Sequence, residues 1–324
     1  MAETVFRMFG PLLVGGLVAL CFSGIVSMQA FRYFHMFSGD YMRVRATVSF
    51  IWILDITHSG LICASNWFYL IDHWGDSEIL DHIPLSIALT IFITAAVTLT
   101  VHTFFIRRVL ILSKKNWWLC APLFVLAVLR FLSATTTTVL MIHLKHYSLL
   151  RLPQYTWVIT FGLVMGSTLD ILITTSLCLY LRSNRTGFSS MDYIIDTIMM
   201  YAINHGSLTC ICTFISLLCW LAIPHSLAFL GAHFAISKLY ANSFLATLNT
   251  RDTLRDRSQG SSDRGGTHQM PVIFPGSRMT YGRYTGQGQD PSTATKLEIN
   301  VQKTIECEVN VDMEQQFDPI VHRQ

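Results

Sequence analysis

The stretch IPLSIALTIFITAAVTLTVHTFFI, residues 83–106, decides the fold. It contains no Asp, Glu, Lys or Arg, and its one ionisable side chain is His102. A helix needs about 20 mostly apolar residues to cross the hydrocarbon core of a bilayer, and this stretch supplies them. Working outward, six more stretches qualify, at roughly 11–31, 46–71, 117–142, 154–181, 192–218 and 222–246. In lipid the backbone must satisfy its own hydrogen bonds, so helices are expected, and the strand period of a barrel is absent. The sequence therefore predicts an all-α integral membrane protein, a seven-transmembrane-helix bundle. Its sixth and seventh helices are divided only by a short turn around Cys219–His225.

Composition agrees. Hydrophobic residues make up 52% of the 324-residue chain and charged residues only 13%. Through Arg251 the chain holds 15 basic and 10 acidic residues, and the last 73 residues hold 8 and 10. An ordinary soluble enzyme, a collagen-like chain and a wholly disordered chain are excluded. A net charge of +3 gives no reason to expect a nucleic-acid partner. The first apolar run is too long for a signal peptide and no small-x-small site closes it, so it reads as a retained helix.

Orientation follows from the basic residues of the short loops. Thirteen, from Arg32 through Arg107, Arg108, Lys114, Lys115, Arg182 and Arg185 to Arg257, fall on one side. Only Arg7, Lys145 and Arg151 fall on the other, where the 72–82 loop is acidic. The expectation is a short N-terminus (1–10) outside and a cytosolic C-terminus, in the plasma membrane rather than an internal one. Seven of the eight cysteines lie in the expected helices and Cys307 in the tail, so no outer disulfide is expected. The sequon at Asn184 falls in a cytosolic loop and should stay unmodified.

From about residue 251 to 324 the chain turns to Ser, Gly, Asp, Arg and Gln, a composition that cannot bury enough apolar surface to fold alone. Within it, residues 296–312 alternate apolar and polar. Two readings stand there: a strand-prone patch in a flexible tail, or a strand added to a cytosolic partner.

Ionisable and strongly polar groups at membrane depth are expensive and point to function. Here they are Asp55, His58, Arg130, Asp170, Asn204 and His205. Counting about 1.5 Å of rise per residue places them in one layer about 15–20 Å from the cytosolic ends. Asp55 and His58 are three apart and share a helix face. Charge pairing predicts a network of Arg130 with Asp55 or Asp170, completed by His58 and Asn204. Such a network either fixes helix packing or forms a ligand or proton site. His102 and Asp196 read as interfacial groups that snorkel to the surface. Thr94, Thr98, Thr100 and Thr135–Thr138 read as packing residues that bond back to their own helices.

Enzyme signatures are absent: there is no H-E-x-x-H, G-x-S-x-G or P-loop. No cofactor or resident metal is expected. Lys238, the one lysine in a spanning stretch, reads as lying toward the cytosolic end of the seventh helix, which weakens a retinal pigment. No inverted repeat suggests a transporter fold.

Two motifs carry a resemblance: Trp52-x-x-Asp55-x-x-His58 and Leu239-Tyr240-Ala241-Asn242-Ser243-Phe244-Leu245-Ala246-Thr247-Leu248-Asn249-x-Arg251. Both are similar to motifs of a large family of seven-helix proteins from basidiomycete fungi, defined by a C-terminal domain of unknown function, here about 165–253. The resemblance implies an integral membrane protein of no established activity. Read physically, the second motif sets Tyr240, Asn242, Ser243, Asn249 and Arg251 at the cytosolic mouth. There Asn249 caps the helix and Arg251 anchors to headgroups, or the group docks a cytosolic partner. Beyond the lipid bilayer, the expected partners are an unknown ligand and a cytosolic protein at the basic loops or tail. The function expected from this architecture is a receptor-like sensor, with a proton-coupled transporter or channel as the alternative.

Overall fold

The computed structural model of the chain describes residues 2–76, 78–185, 189–223 and 226–260. The strand-prone stretch 296–312 and the Pro224-His225 turn lie outside the described residues. The described residues form eight α-helices: α1 (Ala2–Met36), α2 (Met42–Trp67), α3 (Leu85–Leu112), α4 (Trp117–Leu144), the single turn α5 (Tyr147–Leu150), α6 (Pro153–Ser183), α7 (Ser189–Ala222) and α8 (Ala228–Gly260). Six of them, α1–α4, α6 and α7, include a stretch long and apolar enough to cross a membrane. The chain is a helical, multi-pass membrane protein.

Local chemistry sets the boundaries. Pro153 stands in the first turn of α6, where its missing N–H costs nothing. α4 ends at Lys145, whose left-handed backbone (φ 59°) lets its N–H close on the Met141 carbonyl. The expected seventh helix, from residue 222, begins instead at Ala228, and α7 runs on to Ala222. Proline at 224 explains the shift, since it donates no N–H and pushes the preceding residue out of helical geometry.

α3 sits at the centre, touching α2, α4, α6 and α8. α8 packs against α1 and α7 and reaches α3 and α2, so its neighbours cover most of its circumference. A helix shielded from lipid can carry polar residues, and between Ala228 and Arg251 α8 carries Ser237, Lys238, Asn242, Ser243 and Asn249. Each long helix contributes one end to an apolar cluster around Tyr33, Ile51, Val101, Leu177 and Phe244, and its other end to a cluster around Phe9, Ile62, Tyr69, Met141 and Phe234. Polar side chains of the middle turns lie between these clusters.

At the end where α2 meets α3, two loops are pinned together. Ser148 donates its backbone N–H (2.7 Å) and hydroxyl (2.5 Å) to Asp81. The Ile83 N–H reaches the Lys145 carbonyl at 2.8 Å. Tyr69 donates to the His82 carbonyl (2.7 Å) and its hydroxyl lies 3.1 Å from that of Tyr147. Burial pushes the Tyr147 phenol up and so keeps it protonated. Arg151 stacks over Trp220 at 4.3 Å and donates to its carbonyl at 2.9 Å, and burial pulls its guanidinium down from its ordinary range. All seven described cysteines are free thiols.

Candidate functional site: a split polar layer beside a cavity

Asp55 and His58 face inward from the middle of α2, both fully buried. Asp55 pairs with Lys238 of α8, whose Nζ lies 2.9 Å from Oδ1, and accepts a short hydrogen bond from Ser23 of α1. Lys238 also donates to the Asp55 carbonyl (2.8 Å) and to Ser59 Oγ (2.7 Å). Ser59 in turn donates to Ser23 at 2.9 Å. Three acceptor atoms from Asp55 and Ser59 therefore surround the ammonium, and the group is closed on itself. The expected Asp55–Arg130 pairing is not formed, because Arg130 lies on α4, which packs against α3 and α6. Lys238 is not near the C-terminal end of the helix either. It stands thirteen residues before Arg251, about 20 Å along a helix that continues to Gly260.

The second half of the layer centres on Asp170 of α6. His102 Nε2 lies 3.0 Å from its Oδ1, and Tyr240 donates to its Oδ2 at 2.7 Å. His102 is 2% exposed and so is not an interfacial group: α3 is the central helix, and α6 and α8 enclose the ring. The His102 and Tyr240 rings meet edge-on at 5.3 Å. Arg130 lies on this side, its guanidinium 5.4 Å over the Tyr240 ring and against Gly166, where a Cβ would come within 2.8 Å of Nε. It forms an ion pair with neither carboxylate. His58 contacts Thr94 Oγ1 at 3.2 Å. Thr98 and Thr135–Thr138 bond back to their own helices, as expected.

One of the expected layer residues, Asn204, does not join it. Asn204 is exposed, because the covered face of α7 runs through Ala202, Gly206, Thr209, Thr213 and Ser216. The side chain of His205 lies outside the described residues. Asp196 pairs with Arg185 at the surface.

The α8 motif is a seam with α1 more than a mouth. Tyr240 belongs to the mid-depth layer. Asn242 donates to the Phe22 carbonyl (3.3 Å) and Asn249 to the Gln29 carbonyl (3.0 Å). Asn249 caps nothing, since α8 runs three turns further. Arg251 is 8% exposed and pairs with Asp40 at 2.6 Å, stacked on Phe37 at 4.5 Å, so it is not a headgroup anchor. Tyr33 donates to the same carboxylate at 2.9 Å. Ser243 is half-buried.

A cavity of about 60 Å³ opens among α3, α4, α6, α7 and α8. Its polar lining includes Arg130, His102 and His233, each with one buried nitrogen that has no hydrogen-bond partner: Nη1, Nδ1 and Nε2. A second cavity of about 10 Å³, water-sized, touches His102 and Asp170 from the α7 side. Lys238 lines neither. Sequence reasoning passes over His233 and misplaces Lys238. The signal for His233 is its spacing of seven from Tyr240, which sets both on one helix face. Among the described residues no cluster of three or more His, Cys, Asp or Glu is arranged to hold a metal.

Residues 166–253 match the family described as Family of unknown function (DUF6534). The match takes in the second half of α6, α7 and α8 as far as residue 253, and hence Asp170, Lys238, Tyr240 and the α8 side of the seam with α1. The chain matches no curated protein and no solved structure. What is established is a multi-pass membrane protein carrying a domain of unknown function.

Proposed function

We propose that the chain is a receptor-like sensor in which a small molecule, bound in the 60 Å³ cavity, acts on α8. The observation that carries this reading is that one helix touches every part of the proposed switch. α8 lends His233 to the cavity lining, Tyr240 to Asp170, Lys238 to Asp55 and Arg251 to Asp40. In this reading α8 is the seventh spanning helix, the N-terminus is outside, and the basic loops and tail face a cytosolic partner. The excess of thirteen basic residues over three supports that orientation. The motif at 239–251 supports membership of the basidiomycete seven-helix family, and the plasma membrane is the expected location. In this reading the residues after Gly260 serve as a cytosolic tail, with 296–312 as the stretch that meets a partner.

Hydrogen–deuterium exchange of the full chain in nanodiscs tests the sensor. Occupying the cavity with a stabilising compound should slow or speed exchange by several-fold at the α1–α2 loop (37–41) and at 246–251 of α8, which pack against each other through Arg251 and Asp40. A compound that binds while leaving exchange at that face unchanged overturns the sensor.

The water-sized cavity beside Asp170 and His102 favours a second reading, a proton-coupled transporter. In liposomes it predicts a pH-gradient-driven flux that falls about 100-fold or more in Asp170→Asn, the usual scale for losing a proton-transfer group. A wild-type protein with no flux removes this reading.

A further inference from the structure

Arg130 is 9% exposed at mid-depth, and its Nη1 has no hydrogen-bond partner. Arg130 lines a cavity inside the membrane, and an unpartnered arginine donor there calls for an acceptor, which a charged group satisfies best. Neither acidic residue of the layer serves: Asp55 is held by Lys238, and Asp170 by His102 and Tyr240. His233 Nε2, buried and likewise without a partner, lines the same cavity, and as the Nε2–H tautomer it is a second donor. The rest of the wall is largely apolar, including Ile91, Ala95, Leu99, Phe131 and Leu163. The planar guanidinium suits a carboxylate, and the hydroxyls of Thr98, Ser133, Thr137 and Ser216 in the lining already donate to backbone carbonyls, so beyond His102 Nδ1 the wall has few donors left for the further oxygens of phosphate or sulfate. Volume limits the rest of the ligand. At about 10–15 Å³ for one water, the cavity takes roughly four to six non-hydrogen atoms.

We propose that this cavity binds a short-chain monocarboxylate of about three or four carbons, with Arg130 Nη1 and His233 Nε2 holding the carboxylate and the apolar wall holding the chain. The assignment rests on reading the cavity as the sensor's ligand site. A carboxylate on an alkyl chain reaches it either as a small free acid from water or as a fatty acid from the bilayer. The volume selects the small acid.

The test is thermal unfolding of the purified full chain in nanodiscs. The additives are sodium propionate, butyrate and decanoate, sodium chloride at equal ionic strength, propionamide, and butanol. Propionate or butyrate should raise Tm saturably, with chloride and propionamide inert. Arg130→Gln should weaken that effect roughly 30-fold or more. Because Arg130→Gln also alters the packing against Gly166, Ala134→Leu serves as a second variant that fills the cavity and leaves the guanidinium in place. It should abolish the response while keeping the unliganded Tm. Equal stabilisation by chloride or propionamide overturns carboxylate recognition, and stabilisation by decanoate alone overturns the small-acid assignment in favour of a bilayer fatty acid. Stabilisation by butanol alone, lost in Ala134→Leu, overturns the carboxylate and leaves the cavity as the ligand site. No stabilisation by any additive overturns both the carboxylate and the cavity reading.

Discussion

Lys238→Met destabilises the folded bundle by about 3–5 kcal/mol, the range for breaking a buried ion pair from one side. Methionine matches the length of the lysine stem and suits an apolar site, so little of this loss comes from packing. It comes from Asp55, which is fully buried and keeps only the Ser23 hydroxyl once the ammonium is gone. Asp55→Leu leaves the opposite charge uncompensated and costs a similar amount. The double variant Asp55→Leu/Lys238→Met removes both charges and is much closer to wild type than the sum of the two, because replacing a buried pair by apolar groups is often neutral. Denaturant titration of the four proteins in mixed micelles measures the coupling. A Lys238→Met protein as stable as wild type would mean that Asp55 does not rely on the lysine. The same cycle bears on function: if the double variant is folded but has lost the ligand-dependent change in exchange at 37–41 and 246–251, the pair serves the switch as well as the fold.

That pair shows how far the sequence can be read. Mid-depth charges and the need to pair them are plain from Asp55, Arg130 and Asp170 alone. Which partner each acquires depends on which helices are neighbours, and hydropathy carries no information about that order. Asp55 and Lys238 are 183 residues apart and meet only because α8 folds back beside α1 and α2. The six apolar helices are legible because lipid demands an apolar surface from each. α8 is legible in outline, but hydropathy ends it near residue 246, whereas the helix runs on to Gly260, so its lysine sits further from the helix end than the sequence suggests. The polar C-terminal part that hydropathy discards is helical all the same. Asn204 fails for a different reason: counting residues gives its depth, but not which face of α7 turns inward.

The second large effect is at the α1–α8 crossing. A Cβ on Gly231 would fall 2.3 Å from the Pro11 carbonyl oxygen, and one on Gly15 would fall 2.4 Å from the Gly231 Cα. Both obstacles are backbone, so no rotamer change relieves them and the two helices must separate by about 1 Å or more. In a bilayer, where helix association rests on close van der Waals contact, small residues at the crossing are what allow it. Gly231→Ala should therefore cost at least about 3 kcal/mol, the upper end of ordinary overpacking, and Gly231→Leu should prevent folding. The damage reaches beyond the crossing, because the hydrogen bonds from Asn242 and Asn249 to α1 and the Arg251–Asp40 pair all depend on the same helix separation. Gly24 is also on α1, but a Cβ there would meet nothing within 4 Å, so Gly24→Ala should be neutral or stabilise by up to about 1 kcal/mol through helix propensity. Thermal unfolding of the two alanine variants side by side separates the causes. Opposite signs would establish close approach as the role of Gly15 and Gly231, whereas equal small effects would mean that the α1–α8 seam tolerates a wider spacing.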